Sequence, residues 1–301
     1  MVEPGQAEFR RRLIMKKRPI LFRKSLDRAV KIFSVFAAFL GIFFLAWILL
    51  EVCLRGISAM DLRFFTQISL DGEKGGIANA LVGTLLITFF AVLLGVPAGL
   101  LGGVFLAEYG RSSRIGNLIR FCANVMMGMP SIIIGLFVYS IIVSLTGTFS
   151  GFAGAVSLAI IMLPVVLRTT EDMLSLVPNA LREAAMALGT PRWKVTLQIV
   201  FRAAKTGLIT GVLLATARVS GETAPLLFTS LNSYYWPVEP WWHVWNFFTS
   251  PTANLTVTIN DYAMSPYKGL NGIAWGASLL ITVGVLALNV VARILFREIK
   301  K

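Results

Sequence analysis

Apolar residues in this chain are gathered into long stretches that are separated by shorter polar segments. The stretches lie at about 30–54, 78–107, 120–144, 151–170, 203–223 and 272–295. About 20 apolar residues in a helix, at a rise of 1.5 Å per residue, cover the roughly 30 Å hydrocarbon core of a bilayer. The pattern therefore predicts an all-α integral membrane protein with six transmembrane helices.

Composition supports this prediction. Hydrophobic residues make up 56% of the chain and charged residues only 14%, and the mean hydropathy is +0.75. So much apolar surface exceeds what the core of one soluble domain buries. Lipid is therefore the predicted solvent of most of this chain.

Basic residues indicate the orientation of the predicted helices. Lys and Arg are concentrated at both ends of the chain and in the segments that follow the second and fourth stretches. The positive-inside rule then places both termini and the segment 178–202 in the cytoplasm, and the segment 222–271 outside the membrane. The predicted organisation is a basic cytoplasmic segment at 1–29, a first transmembrane helix at 30–54 and a five-helix core at 78–296.

The net charge of +13 at pH 7 is explained by this topology and by contact with anionic lipid headgroups. Nucleic acid is not a predicted partner, because no aromatic residues alternate with the basic ones of the N-terminal segment. Cys53 and Cys122 lie inside apolar stretches, and His243 is the single histidine, so no metal site is predicted. No Gly-Lys pair occurs, so the phosphate-binding loop of P-loop ATPases is absent and any ATP hydrolysis requires another subunit.

The polar segment between the fourth and fifth stretches is the best organised of the chain. Residues 182–188 favour a helix, Gly189 is suited to end it in the left-handed conformation, and Thr190 with Pro191 is suited to start another as N-cap and first residue. A short helix, a tight turn and a second helix make a compact surface. We expect another protein to dock there.

Charges within the apolar stretches are the candidates for transport chemistry. Arg218 lies about 15 residues into the fifth stretch, and Glu222, four residues on, either pairs with it on one helix face or lines a polar path with it. Arg168 lies near the cytoplasmic end of the fourth stretch, where its side chain either snorkels to headgroups or marks the inner end of an anion path. The residues alone leave these alternatives open.

Two further features have two interpretations each. The second stretch contains Gly83, Gly95, Gly99, Gly102 and Gly103, which suit either close helix contacts in a bundle that moves or ordinary membrane packing. The segment 222–271 holds Trp236, Trp241, Trp242 and Trp245. These tryptophans are typical of an interfacial belt at the membrane surface and also of a protein docking surface. One segment can serve both roles.

The docking segment resembles the EAA loop of the membrane subunits of bacterial ABC importers. The matching positions, with the spacing of that motif, are Glu183, Ala184, Ala185, Gly189 and Ile199. Where that family usually has Leu-Pro at the end of the motif, this chain has Phe201 and Arg202.

The resemblance narrows to PstA-type permease subunits of bacterial phosphate importers and covers roughly residues 30–296. Four segments carry it: Pro130–Tyr139, Leu167–Leu174, Leu181–Lys194 and Arg218–Thr229. It implies the fold of type I importer permeases, with a cytoplasmic coupling helix in segment 178–202. The anion-pathway residues of that family fall on Arg168 and Arg218, with Glu222 beside them, and the ATPase-coupling residues on Glu183, Ala184, Ala185 and Gly189.

The resemblance also implies the partners. They are a second, PstC-like permease that forms a heterodimer with this chain, two copies of a cytoplasmic ABC ATPase that bind ATP and Mg²⁺, and an extracytoplasmic phosphate-binding protein. This chain would then be non-catalytic, without a cofactor of its own, and located in the bacterial inner membrane.

Three other functions are alternatives to a phosphate permease. A permease for sulfate or molybdate would use the same charges, since selection would come mainly from the binding protein. A stand-alone secondary carrier needs a coupling-ion site, and carboxylates within the apolar stretches are scarce beyond Glu51, Glu108 and Glu222. A membrane-embedded enzyme needs a cluster of nucleophile, base or metal ligands that this sequence does not show.

Overall fold

The computed structural model describes residues 20–69, 75–236 and 245–295. Most of the predicted basic segment 1–29 lies outside these residues, as do Trp241, Trp242 and His243. Within the described residues every regular element is a helix. The chain divides into two compact units, residues 1–53 and 54–301.

The first unit consists, in its described part, of most of helix α1, Ile20–Ile57, which ends in the second unit. Its mean hydropathy reaches 2.6 in the segment Lys24–Ile57, which is long enough to cross a bilayer.

The second unit contains the other helices. They are α2 Leu62–Thr66, α3 Ala78–Val104, α4 Arg114–Gly128, α5 Ser131–Val138, α6 Gly151–Ser175, α7 Asn179–Ala187, α8 Arg192–Val195, α9 Phe201–Val219, α10 Ala224–Thr229, α11 Trp245–Thr249, α12 Leu255–Ala263 and α13 Lys268–Leu295. A π-helical turn, Phe105–Tyr109, extends α3, and another, Thr196–Val200, joins α8 to α9. A third, Tyr139–Val143, and a last turn, Ser144–Thr146, extend α5.

The number of membrane crossings depends on the segment 114–146. Among the described residues, five helices are long and apolar enough to cross a bilayer, and α4 with extended α5 forms a sixth candidate that is bent by 104°. The bend follows from Pro130, which disfavours a helical conformation at the preceding Met129, whose ψ is 138°. The prediction of six helices holds when the bent pair counts as one crossing, but the continuous helix expected at 120–144 is wrong.

Glycines bring α3 and α6 into close contact. Gly95, Gly99 and Gly103 are spaced four residues apart on one face of α3. A Cβ atom at Gly95 would lie 3.1 Å from the carbonyl oxygen of Ala159, and one at Gly103 would lie 2.5 Å from Cβ of Thr170. Residue numbers rise together along both helices, so α3 and α6 run in parallel. These glycines are therefore close-contact positions, which both interpretations of the sequence allow.

Helix α9 runs antiparallel to α6. A Cβ at Gly207 would meet the side chain of Met173, and one at Gly211 would meet that of Thr169, so residue numbers fall along α6 as they rise along α9. These relative directions are those expected when the second and fourth crossings run inward and the fifth runs outward. The absolute orientation in the membrane stays a prediction.

The segment 222–271 packs onto the bundle through three short helices. Leu226 of α10, Phe247 of α11 and Val257 of α12 are buried in one hydrophobic cluster with residues of α3 and α6. The ring of Phe247 stacks on that of Phe90, with centroids 4.9 Å apart. The three short helices of segment 222–271 are thus packed against the transmembrane bundle. The extracytoplasmic location of this segment stays a prediction.

Candidate coupling helix and anion sites

Helix α7 ends as the sequence predicts. Gly189 has a φ of +80°, in the left-handed region that glycine adopts at little cost. The N–H of Gly189 donates to the carbonyl of Met186 and that of Thr190 to the carbonyl of Ala185, the paired hydrogen bonds of a Schellman motif. A sharp stop of this kind keeps α7 short.

The helix that follows starts one residue later than predicted. Pro191, with φ −67° and ψ 147°, is the N-cap of α8 and Arg192 is the first residue, whereas the sequence favoured Thr190 and Pro191. The carbonyl of Pro191 accepts the first helical hydrogen bonds, from the N–H groups of Lys194 and Val195. The extended ψ of Pro191 excludes it from the helix proper.

The EAA residues divide into an inner and an outer set. Ala185 is buried in a hydrophobic cluster with residues of α6 and α9, whereas Glu183, Ala184 and Gly189 are exposed. Leu188 is 86% exposed beside them. Ala185 therefore anchors α7 to the bundle, and the outer face presents a carboxylate next to apolar side chains.

Sequence reasoning missed the ion pair that holds α7 in place. Nη2 of Arg182 lies 2.8 Å from Oε1 of Glu108, and Nε donates to both oxygens of that carboxylate. The remaining N–H groups of Arg182 donate to the carbonyls of Val177 and Leu174 and, at 3.4 Å, to Oδ1 of Asn179. Both charged residues are buried. A buried pair with all its donors satisfied is geometrically specific and costly to break on one side.

Glu108 belongs to the π-helical turn that ends α3. Two other contacts join this end of α3 to the coupling segment: Arg192 donates to the carbonyl of Glu108 at 3.1 Å, and Arg111 donates to Oδ1 of Asn179 at 3.3 Å. The guanidinium of Arg192 also lies over the ring of Tyr109, 5.5 Å from its centroid. Helix α7 and the segment after it are thus attached by several polar contacts to the end of α3, the helix whose glycines pack against α6.

Arg168 is part of a charged cluster. Its Nη1 lies 2.7 Å from Oε2 of Glu171, and the other oxygen, Oε1, lies 2.6 Å from Nε of Arg120. The Arg168 side chain is 30% exposed and that of Glu171 is 10% exposed. Neither alternative drawn from the sequence, snorkelling or an isolated anion-path residue, included this pairing. The cluster carries two positive charges and one negative.

Arg218 and Glu222 form no ion pair, although the structure describes both residues. Helix α9 ends at Val219, so the four-residue spacing no longer puts the two side chains on one helix face. Of the two alternatives drawn from the sequence, the ion pair on one helix face is therefore wrong. The exposed guanidinium of Arg218 makes no hydrogen bond or ion pair with the described residues, and the backbone of Glu222 is held by Thr256, whose hydroxyl donates to its carbonyl at 2.9 Å.

Arg168 and Arg218 lie at different heights on one helix pair. Thr169 faces Gly211 and Met173 faces Gly207, so continuing the antiparallel register puts position 162 of α6 opposite Arg218. That position is six residues from Arg168, or roughly 9 Å along the helix axis at 1.5 Å per residue. The two cations are spaced along α6 and α9 instead of being clustered.

The amino-acid sequence that forms α6, α7, α9 and their connections matches a known transport family. The sequence profile of the family described as "Binding-protein-dependent transport system inner membrane component" matches residues 99–301. The chain belongs to this family. Membership confirms the expectation that it is a membrane permease of the ABC importer class.

Full-length relatives place the chain more narrowly among binding-protein-dependent inner membrane components. The phosphate transport system permease protein PstA of Haemophilus influenzae is 47% identical over 280 residues, covering 93% of this chain and 96% of the relative. That of Yersinia pestis is 44% identical over 281 residues, covering 93% and 92%. PstA 1 of Mycobacterium tuberculosis is 36% identical over 282 residues, covering 91% and 89%. The resemblance to PstA-type permeases is confirmed.

Solved structures of the same class share the fold. A bacterial alginate ABC transporter in complex with its periplasmic protein superposes with a TM-score of 0.64 at 13% identity, covering 94% of this chain and 99% of that one. The MetNI methionine ABC transporter in an inward-facing conformation gives 0.56 at 17% identity, covering 75% and 95%. At these identities the likeness concerns the fold alone. The predicted all-α permease bundle is confirmed.

Proposed function

We propose that this chain is the non-catalytic permease subunit of an ATP-driven importer that moves inorganic phosphate across the bacterial cytoplasmic membrane. The observation that carries the proposal is the near full-length similarity to permeases named for phosphate transport. Two spaced arginines on one helix pair support it, because guanidinium groups bind tetrahedral oxyanions through paired N–H donors.

The partners follow from the family and from the outer face of α7. A PstC-like permease would complete the pathway as the other half of a heterodimer, and a phosphate-binding protein would deliver the anion from outside. Two copies of an ABC ATPase would bind ATP and Mg²⁺ and dock on the coupling helices, here through Glu183 and the apolar residues around Gly189. Both termini of this chain would be cytoplasmic.

The structure suggests how force would reach the bundle. ATP-driven closure of the ATPases would displace α7, which Arg182 ties to the end of α3, and α3 packs along α6 through its glycines. A displacement of α7 would therefore move the helix that carries Arg168. Because packed helices slide and rock as rigid bodies, one small displacement suffices to switch the bundle between inward-open and outward-open states.

Along the pathway, Arg168 and Arg218 would hold the oxyanion in turn. Each presents a positively charged guanidinium with several N–H donors. Two sites offset by roughly 9 Å along the helix axis would attract the anion without enclosing it in one dense cluster, which would bind it too tightly for release.

Reconstitution tests this proposal. Proteoliposomes would contain this chain, its PstC-like partner, the ATPase and the binding protein, and each component would be omitted in turn while uptake of radiolabelled phosphate is measured. We expect uptake only in the complete, ATP-supplied system. ATP-independent uptake by this chain alone would instead show a secondary carrier, and uptake of sulfate or molybdate in place of phosphate would show a permease for another oxyanion.

A further inference from the structure

The carboxylate of Glu171 is shared between two arginines on different helices. One oxygen is bound by Arg168, which lies one turn away on α6, and the other by Arg120, which lies on α4. A carboxylate and a guanidinium form their strongest contact when both oxygens engage one arginine through two parallel hydrogen bonds. Arg120 prevents that arrangement between Glu171 and Arg168.

The sharing of Glu171 between two arginines affects the charge at Arg168. Arginine stays protonated in proteins, so the two guanidinium groups and one carboxylate leave the cluster with a net charge of +1. The Nε and Nη2 groups of Arg168 donate no hydrogen bond to the described residues and remain available. An oxyanion that reaches Arg168 therefore meets an uncompensated charge and free donors.

Arg120 is also bound to the segment that holds the coupling helix. Its Nη2 donates to the carbonyl of Leu106 at 3.3 Å, and its Nη1 donates to that of Arg111 at 3.4 Å. Between these two carbonyls lies Glu108, the partner of Arg182 on α7. The same short segment thus contacts α7 on one side and Arg120 on the other.

From these contacts we infer that Arg120 is a positioning residue for the anion path. By holding one oxygen of Glu171 it keeps Arg168 only partly neutralised, and its bonds to segment 106–111 make this sharing depend on the position of α7. The inference rests on the proposed function and deepens it. The ligand that Arg168 would take in this state is a phosphate oxyanion.

A displacement of α7 would then switch Arg168 between two states. In the arrangement described here Glu171 is shared and Arg168 is free to bind the anion. When α7 carries segment 106–111 away, Arg120 leaves Glu171, which closes on Arg168 with both oxygens and displaces the anion. A competing carboxylate at contact distance is a strong competitor, because charge interactions gain strength in a partly dehydrated site.

The inference is tested by substitutions that change the net charge of the cluster. Arg120→Gln lowers the net charge of the cluster to zero, since Glu171 then neutralises Arg168. Combining Arg120→Gln with Glu171→Gln restores a net charge of +1. Arg114→Gln removes an exposed cation from the same helix, outside the cluster, and is the matched control.

The measured quantity is phosphate transported per ATP hydrolysed in the complete reconstituted complex, with the amount of co-purified ATPase as the check on assembly. We expect Arg120→Gln to lower this ratio about tenfold, within the range of coupling between linked sites. The double variant should recover about threefold of this loss, since it restores the charge on Arg168 but lacks the carboxylate that displaces the anion, and Arg114→Gln should stay within about twofold of the wild type. A purely structural contact would instead make the double variant as poor as the single one.

The inference is overturned if Arg120→Gln transports as much phosphate per ATP hydrolysed as Arg114→Gln does, or if the double variant is no better than Arg120→Gln alone. In either case, uptake by the wild-type complex leaves the proposed function intact. If the wild-type complex transports no phosphate, the proposed function fails and the inference with it.

If Arg120→Gln does not assemble, the double variant is compared with Glu171→Gln. The cluster of that variant has a net charge of +2, which should hold the anion too tightly. The inference then requires faster transport by the double variant, and slower transport overturns it.

Discussion

Arg182 of the coupling helix and Glu108 at the end of α3 are 74 residues apart in the chain and form a buried ion pair with a 2.8 Å contact. The pair joins the surface where an ATPase would act to the helix that packs along α6. It therefore gives the coupling helix a defined mechanical connection to the bundle.

Removing one partner of the pair should unfold the local structure. Arg182→Ala leaves the carboxylate of Glu108 buried without its partner, which typically costs about 3–5 kcal/mol. We expect a lower melting temperature of the detergent-solubilised complex. Arg202→Ala, which removes an exposed arginine from α9, should leave the melting temperature unchanged.

Replacing both partners separates stability from coupling. Apolar residues of similar volume are often neutral or stabilising in place of a buried ion pair, so Arg182→Met with Glu108→Leu should recover most of the lost stability. Transport per ATP hydrolysed should stay low, because the directional contact is gone. Full recovery of both quantities would contradict the role of this pair in coupling.

Charge reversal at Glu183 should affect docking alone. Since Glu183 is exposed and outside the buried cluster, Glu183→Lys should keep the melting temperature of the isolated permease while the ATPase no longer co-purifies. Asp172→Lys reverses an exposed acidic residue on α6 and is the control. Normal co-purification with Glu183→Lys would refute the docking role of this residue.

Gly189 tests the need for the left-handed turn. Among the described residues, no atom outside Gly189 and its two chain neighbours lies within 4 Å of the position of a Cβ at Gly189, so a defect would come from the backbone conformation and not from a clash. Gly189→Val should therefore impair ATPase binding, since a left-handed conformation costs non-glycine residues roughly 1–2 kcal/mol and β-branched ones more. Gly189→Asn, which tolerates that conformation, should retain binding. Equal binding by both variants would argue against the turn.

Arg218 and Glu222 should act independently. They form no ion pair, so the effects of Arg218→Ala and Glu222→Gln on phosphate uptake should add in the double variant when expressed as free energies. Arg218→Ala alone should lower uptake about tenfold with normal assembly, because its side chain has no partner among the described residues to lose. Mutual rescue in the double variant would instead reveal an ion pair.

Long apolar stretches predicted most of the fold. The stretches at 78–107 and 151–170 became α3 and α6 because each is long enough to fill a membrane crossing. The bend after Gly128 was not predicted. The residues on both sides of Pro130 are apolar, and hydropathy carries no information about the direction of the helix axis. Pro130 itself was the available signal.

The candidate sites were predicted less completely. Gly189 was identified because a left-handed helix end has a local sequence signature. The pairs of Arg182 with Glu108 and of Arg120 with Glu171 join distant segments, so no local periodicity reports them. The alternative in which Arg218 pairs with Glu222 assumed that α9 continues past Val219, and Gly221 was the signal that the helix ends there.

The decisive measurement is the rate of radiolabelled phosphate uptake into proteoliposomes that contain the complete importer, with ATP and excess unlabelled sulfate present. We expect rapid uptake that requires ATP and is unaffected by the sulfate. Uptake without ATP, or uptake abolished by sulfate, would contradict the assignment of this chain as a phosphate importer permease.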